Sequence, residues 1–190
     1  MKKLKGSIQL IIGPMFSGKT TELIERVRRY RVVDRNCLVV QKSWSDRHNQ
    51  PKKLISHDLA KLLEGIDIAK IAHLEEVKKL NYEQREVIAI DEGQFFEDLA
   101  EKSETFANDG KVVIISGLSG TFQREAFRGI IDLVPKAEEV SLLNAICVEC
   151  GEPAHFSKRI VNSSEVVVIG GAEAYKAVCR EHFFNEPSKK

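Results

Sequence analysis

Short, continuous runs of apolar residues recur along the first two-thirds of the chain, with segments of helical periodicity between them. The runs are Ser7-Ile-Gln-Leu-Ile-Ile12, Cys37-Leu-Val-Val-Gln41, Val87-Ile-Ala-Ile90 and Lys111-Val-Val-Ile-Ile115. Each is too short for a helix and rich in β-branched residues, so each reads as a strand. Near-continuous apolar character implies burial on both faces, as in a parallel sheet covered by helices. Leu23, Val27 and Tyr30 recur at i, i+4 and i+7 and give a helix over residues 21–33 one apolar face. Its arginines, Arg26, Arg28, Arg29 and Arg31, read as a solvated face. Cys37 reads as a small core residue. A second helix over residues 97–108 is closed by Gly110, with Phe95-Phe96 packing into the core at its start. The expected fold is therefore α/β, with the strand ends and the site along one edge of the sheet.

The pattern changes near Ala145, where segments shorten and cysteines appear. A strand-like run, Glu165-Val-Val-Val-Ile-Gly170, follows. The expected division is an α/β nucleotide-binding domain over 1–144, a small β-rich lobe over 145–184 and a polar, flexible tail over 185–190.

Composition narrows the function classes. The 190 residues are 43% hydrophobic and 30% charged, with a formal net charge of +1. No global field draws the chain to nucleic acid or membrane, and its apolar runs are far too short to span a bilayer. Its start shows no apolar leader, so a reducing, cytoplasmic setting is expected, where paired cysteines point to metal more than to disulfides.

Gly13-Pro-Met-Phe-Ser-Gly-Lys-Thr20 fits the phosphate-loop pattern and lies between a strand and a helix, the context that motif requires. Its glycines let backbone N–H groups approach phosphates at a helix N-terminus. Lys19 would reach the β- and γ-phosphates, and the Thr20 hydroxyl would hold Mg²⁺. The apolar strand ending at Asp91-Glu92 supplies what such a loop needs opposite it: Asp91 for Mg²⁺ and Glu92 to accept a proton from the attacking nucleophile. The alternative for this pair is an acidic cap on the following helix. Cys147-x-x-Cys150 and Cys179-x-x-His182 are two ligand pairs with zinc-type spacing. Three thiolates and an imidazole close a tetrahedral site, which makes it structural.

These residues, with Asp91-Glu-Gly-Gln-Phe-Phe96, Gly120-Thr-Phe-Gln-Arg124 and Val168-Ile-Gly-Gly-Ala172, closely resemble the zinc-containing thymidine kinases. The resemblance is to the cytosolic human-type and bacterial family, as distinct from the viral or mitochondrial deoxynucleoside kinases. It runs from about Gly6 to about Phe184. It implies a RecA-like α/β domain, a zinc-anchored lobe and a lasso loop that closes over the nucleoside. It also implies transfer of the ATP γ-phosphoryl group to the 5′-hydroxyl of thymidine, with deoxyuridine as a second substrate.

By this resemblance Glu92 is the general base. Gly13, Pro14, Met15, Phe16, Ser17, Gly18, Lys19, Thr20, Arg47, Asp91 and Gln94 bind the nucleotide and its Mg²⁺. Met15, Leu118, Phe122, Val166, Val167, Val168, Ile169, Gly170 and Tyr175 bind the nucleoside, the lasso residues largely through backbone groups. A homotetramer inhibited by thymidine triphosphate is also implied, with no nucleic-acid or membrane partner. The chain departs from the family pattern in carrying Ser45-Asp46-Arg47 where Asp-x-Arg is usual. Ser119 stands where an aspartate is common, and Ser157 where threonine lies near the base methyl group.

Two other classes fit the motifs. A phosphate-loop NTPase whose zinc module binds nucleic acid or protein would carry a basic stripe beside the cysteines. Glu149, Glu152 and Glu181 instead balance Lys158, Arg159 and Arg180. A nucleotide sensor without catalysis would lack the base, yet Glu92 is present.

Overall fold

In the computed structural model, residues 4–43, 65–162, 168 and 170–185 are described. Six strands form one parallel sheet: β1 (Ser7–Gly13), β2 (Cys37–Lys42), β3 (Asp67–Ile71), β4 (Val87–Ile90), β5 (Val112–Leu118) and β6 (Glu139–Leu142). Their order is β3-β2-β4-β5-β1-β6. Helix α1 (Lys19–Arg31) joins β1 to β2's side of the sheet, and α2 (Leu99–Asn108) joins β4 to β5.

Alternation along the central strands explains the two covered faces. Cys37, Val39, Val87, Ala89, Val112 and Ile114 turn to one side and pack with Leu23, Ile24 and Val27 of α1. Leu38, Val40, Ile88, Ile90, Val113 and Ile115 turn to the other and pack with Phe96, Leu99 and Phe106 around α2. Both layers are buried, as the apolar runs require. Gly110 sits at φ 85° just past α2, a left-handed position that favours glycine.

The outer strands are harder to read. Among the residues of β3 only Ile71 is buried, and none in β6 is. Edge strands need no continuous apolar run, so neither stands out in the sequence.

One reading is corrected. Arg28, Arg29 and Arg31 are exposed, but Arg26 is buried at 8% exposure. Its Nε donates to Glu22 Oε1 at 2.9 Å, Nη1 reaches Glu139 Oε1 at 2.9 Å and Gln9 Oε1 at 3.3 Å, and Nη2 donates to Ser141 Oγ at 2.8 Å. A guanidinium with this many donors can bind a helix, a strand and an edge strand together. Helical periodicity cannot reveal such a role, because every partner but Glu22 is distant in sequence.

After β6 the chain forms two antiparallel pairs: β7 (Ala145–Ile146) with β8 (Pro153–Ala154), and β9 (Phe156–Arg159) with β10 (Tyr175–Val178). Helix α4 (Arg180–Phe184) follows; the short α3 (Arg128–Ile131) lies between β5 and β6. The fold is thus α/β with a small β-rich region carrying the cysteines. Of the strand-like run at 165–170, Val168 and Gly170 are described and lie outside strands; the rest falls outside the described residues.

Arg26→Ala is expected to lower stability by about 1–3 kcal/mol, the scale of lost hydrogen bonds to a charged group. Urea denaturation, with equal slopes for both proteins, checks this; an unchanged midpoint would return Arg26 to the solvated face.

Candidate active site

The phosphate loop springs from the carboxyl end of β1. Gly13 is needed for space: a Cβ there would lie 2.6 Å from Leu143 O and 2.7 Å from Ser17 Oγ. Gly18 is needed for conformation, at φ 81° immediately before α1. Phe16 adopts φ 66° at the exposed tip. Ser17 Oγ and Lys19 Nζ both donate to Pro14 O, at 2.9 and 2.6 Å. The buried Lys19 ammonium is thus held within the loop.

Three elements converge on one carboxylate oxygen. Asp91 follows β4 and is 5% exposed. Its Oδ1 accepts from Thr20 Oγ1 of α1 at 3.0 Å, from Ser116 Oγ of β5 at 2.7 Å and from Glu92 N at 3.1 Å. Asp91 N donates to Val40 O at 2.9 Å, which extends the β4–β2 pairing by one residue. A hydroxyl and a carboxylate so placed beside a phosphate loop have the donor chemistry to hold Mg²⁺.

Glu92 diverges from Asp91 because its backbone is left-handed, at φ 53° and ψ 47°. Its Oε2 accepts from Gln94 Nε2 at 2.7 Å. The two carboxylates therefore have different surroundings.

Of the residues expected to contact the nucleoside, Met15, Leu118, Phe122, Val168, Gly170 and Tyr175 are among those described. Leu118 ends β5 in register with Gly13. Met15 N donates to Ser157 Oγ at 2.9 Å, which joins the phosphate loop to β9. The Arg159 guanidinium lies 3.6 Å above the Phe122 ring, a stacked cation–π contact. Arg159 Nη2 also reaches the Tyr175 hydroxyl at 3.4 Å. That hydroxyl donates to Val168 O at 2.8 Å and accepts from Val168 N at 3.2 Å. Gly171 N donates to Glu173 Oε1 at 2.7 Å beside Gly170. Arg47, Val166, Val167 and Ile169, with Asp46, lie outside the described residues.

Sequence reasoning missed Ser116 and Arg159 as site residues and saw Ser157 only as a neighbour of the base. Ser116 carried a signal, a hydroxyl at a buried position inside an apolar strand, which must find a partner.

Cys147, Cys150, Cys179 and His182 offer ligand atoms that all lie within 4.8 Å of one another. Gly151, at φ 78°, turns the chain after the first pair, and Gly151 N donates to Cys147 O at 2.9 Å. Cys179 precedes α4, which carries His182. The Cys150 and Cys179 sulfurs are 3.9 Å apart, and His182 Nδ1 is 3.2 Å from Cys179 Sγ and 3.8 Å from Cys147 Sγ. Tetrahedral zinc with bonds of about 2.3 Å separates sulfurs by about 3.8 Å, whereas a disulfide needs about 2.05 Å. The set fits zinc. Burial opposes ionisation of Cys147, but backbone N–H groups of Cys179, Glu149 and Cys150 outweigh it and bring the thiol down to about 6. The N–H of His182 lowers Cys179 likewise. Backbone donors thus favour the thiolate form at Cys147 and Cys179, whereas at Cys150 the backbone N–H of Glu152 is outweighed and the neighbouring sulfurs of Cys147 and Cys179 help push the thiol up to about 11.

Comparison with known proteins places this geometry in a family. The family model described as thymidine kinase matches residues 6–183. "Thymidine kinase 1" of Dictyostelium discoideum is 45% identical over 181 residues, 94% of this chain and 78% of that protein. The thymidine kinase of Myxoma virus (strain Lausanne) is 45% identical over 179 residues, 94% of this chain and 97% of its own. That of Vaccinia virus (strain Western Reserve) is 44% identical over 181 residues, covering 95% and 98%. The chain belongs to the thymidine kinase family. Two of these relatives are viral, so the contrast with viral enzymes drawn from the sequence is too broad.

Cys147→Ser is expected to drop bound zinc well below one ion per chain and to lower thermal stability. Metal analysis of the purified protein checks it; one zinc per chain in the variant would remove Cys147 from the ligand set.

Proposed function

We infer that this protein transfers the γ-phosphoryl group of ATP to the 5′-hydroxyl of thymidine, giving thymidine monophosphate and ADP. Membership of the thymidine kinase family supports the reaction and its substrates. The observation that carries the chemistry is the meeting of Thr20, Ser116 and Asp91 beside the phosphate loop, with Glu92 turned aside from them.

Phosphoryl transfer needs positioning and charge neutralisation more than covalent help. Loop amides from Gly13 to Thr20 cradle the triphosphate, and Lys19 exchanges Pro14 O for phosphate oxygens. Thr20 and Asp91 would hold Mg²⁺, which neutralises charge on the phosphates. The 5′-oxygen attacks the γ-phosphorus in line as the bond to the departing ADP oxygen breaks. The hydroxyl becomes acidic as its oxygen bonds to phosphorus, so Glu92 takes the proton late and needs no unusual basicity.

The nucleoside is assigned to Met15, Leu118, Phe122 and Tyr175, with the backbone of residues 166–170 as its lasso. Ser157, near the expected base methyl group, favours deoxyuridine as a second substrate. Structural zinc at the Cys/His cluster would clamp the base of the long loop within a lobe over 145–184, beside the nucleotide domain over 1–144. A cytoplasmic homotetramer inhibited by thymidine triphosphate completes the proposal, on the strength of the family resemblance. No helix among the described residues is long and apolar enough to cross a membrane.

The test is a phosphoryl-transfer assay with Mg-ATP and thymidine, deoxyuridine or deoxycytidine in parallel, beside a control without nucleoside. Thymidine monophosphate is expected, with little product from deoxycytidine. ATP hydrolysis without any monophosphate would favour a zinc-bearing NTPase instead. Glu92→Gln is expected to bind ATP and thymidine as before while kcat falls about 10²–10⁴-fold, the range for a lost general base. Unchanged turnover would remove Glu92 from that role.

A further inference from the structure

Between β4 and α2, Glu92 and Gln94 share one tight turn. The left-handed backbone of Glu92 directs its carboxylate toward Gln94 rather than toward Asp91. Gln94 Nε2 donates to Glu92 Oε2 at 2.7 Å, and Gln94 Oε1 accepts from Leu118 N at 3.1 Å. The two contacts fix the orientation of the amide. A backbone N–H can only donate, and an ionised carboxylate can only accept.

The far end of this bridge matters. Leu118 is the last residue of β5 and lies in register with Gly13, where the phosphate loop begins. Ser119 N donates to Gly13 O at 3.1 Å and extends that pairing. Gln94 therefore joins the carboxylate to the strand pair from which the loop springs. Gly117 leaves it room: a Cβ there would lie 3.1 Å from Gln94 Oε1 and 2.5 Å from Ile130 Cδ1.

We propose that Gln94 is a positioning residue for phosphoryl transfer, whose amide fixes the Glu92 carboxylate relative to the phosphate loop. The role rests on the assignment of Glu92 as the base. It differs from the nucleotide contact that the sequence resemblance implies for Gln94, because both ends of the amide are engaged within the protein. A glutamate carboxylate otherwise turns about three side-chain torsions. A general base must meet the 5′-hydroxyl at hydrogen-bond distance while the γ-phosphorus lies in line, and the loop sets where that phosphorus sits. A bridge from base to loop fixes both in one frame.

Gln94→Ala and Gln94→Glu test this in the full-length enzyme, with Glu92→Gln assayed in parallel. Gln94→Ala is expected to lower kcat about ten- to a hundredfold, the cost of misplacing a reacting group by about an ångström. KM for ATP and for thymidine should stay within about twofold, since no ground-state contact is lost. Gln94→Glu keeps an acceptor for Leu118 N but sets a second carboxylate against Glu92. It removes the donor to Glu92 while keeping the contact at Leu118, so kcat should fall at least as far as in Gln94→Ala, with KM for both substrates kept. A purely structural role would be rescued by Gln94→Glu, which keeps the Leu118 contact.

A raised KM for ATP with unchanged kcat in Gln94→Ala would make Gln94 a nucleotide ligand and overturn the proposal. Unchanged kcat in Gln94→Glu would overturn it as well, and that variant carries the test if Gln94→Ala fails to fold. Should Glu92→Gln keep full turnover, the base assignment fails and the positioning role with it. Should Glu92→Gln lose turnover while both Gln94 variants keep kcat, only the positioning role fails.

Discussion

One carboxylate oxygen, Asp91 Oδ1, is the point on which the nucleotide edge of this molecule depends. It takes hydrogen bonds from α1, from β5 and from the backbone of the next residue. Each donor comes from an element placed by the sheet, and β5 separates β4 from β1 in its order. A buried carboxylate costs several kcal/mol unless its oxygens are satisfied, so the cluster is stable only when all three elements are in place. Failure of any one leaves polar atoms unpaired inside the protein. Folding of the sheet and assembly of the phosphate site are in this sense one event.

How much of this was legible in the sequence follows from what each feature depends on. The central strands were legible because burial on two faces demands continuous apolar residues, as in Val87–Ile90. The phosphate loop was legible because its backbone path forces particular residues: Gly13 for space and Gly18 for a left-handed turn. The zinc pairs were legible because two short chelating turns fix their spacing. Edge strands β3 and β6 were not, since exposure frees their composition. Nor was Arg26, whose partners Gln9, Glu139 and Ser141 become neighbours only when β1 pairs with β6. The Glu92–Gln94–Leu118 bridge was hidden for the same reason, with the added requirement that a non-glycine residue adopt positive φ.

The cysteine-bearing region touches the nucleotide edge through backbone as well as side chains. Cys179 directly follows β10, β10 pairs with β9, and Ser157 of β9 receives the N–H of Met15 from the phosphate loop. Ser157 is 7% exposed, so water competes poorly for that N–H. A cluster that closes the end of β10 therefore bears on the shape of the loop through a single antiparallel pair.

Lys19 shows why the phosphate loop holds its shape before any phosphate arrives. A lysine ammonium at 8% exposure would be destabilised without an acceptor. Pro14 O supplies one at 2.6 Å and is itself shared with Ser17 Oγ. Pro14 has no N–H to offer phosphate, so at this residue the loop contributes only a carbonyl, and that carbonyl faces the lysine. The loop's shape is thus held from within, one carbonyl satisfying the lysine and the serine together.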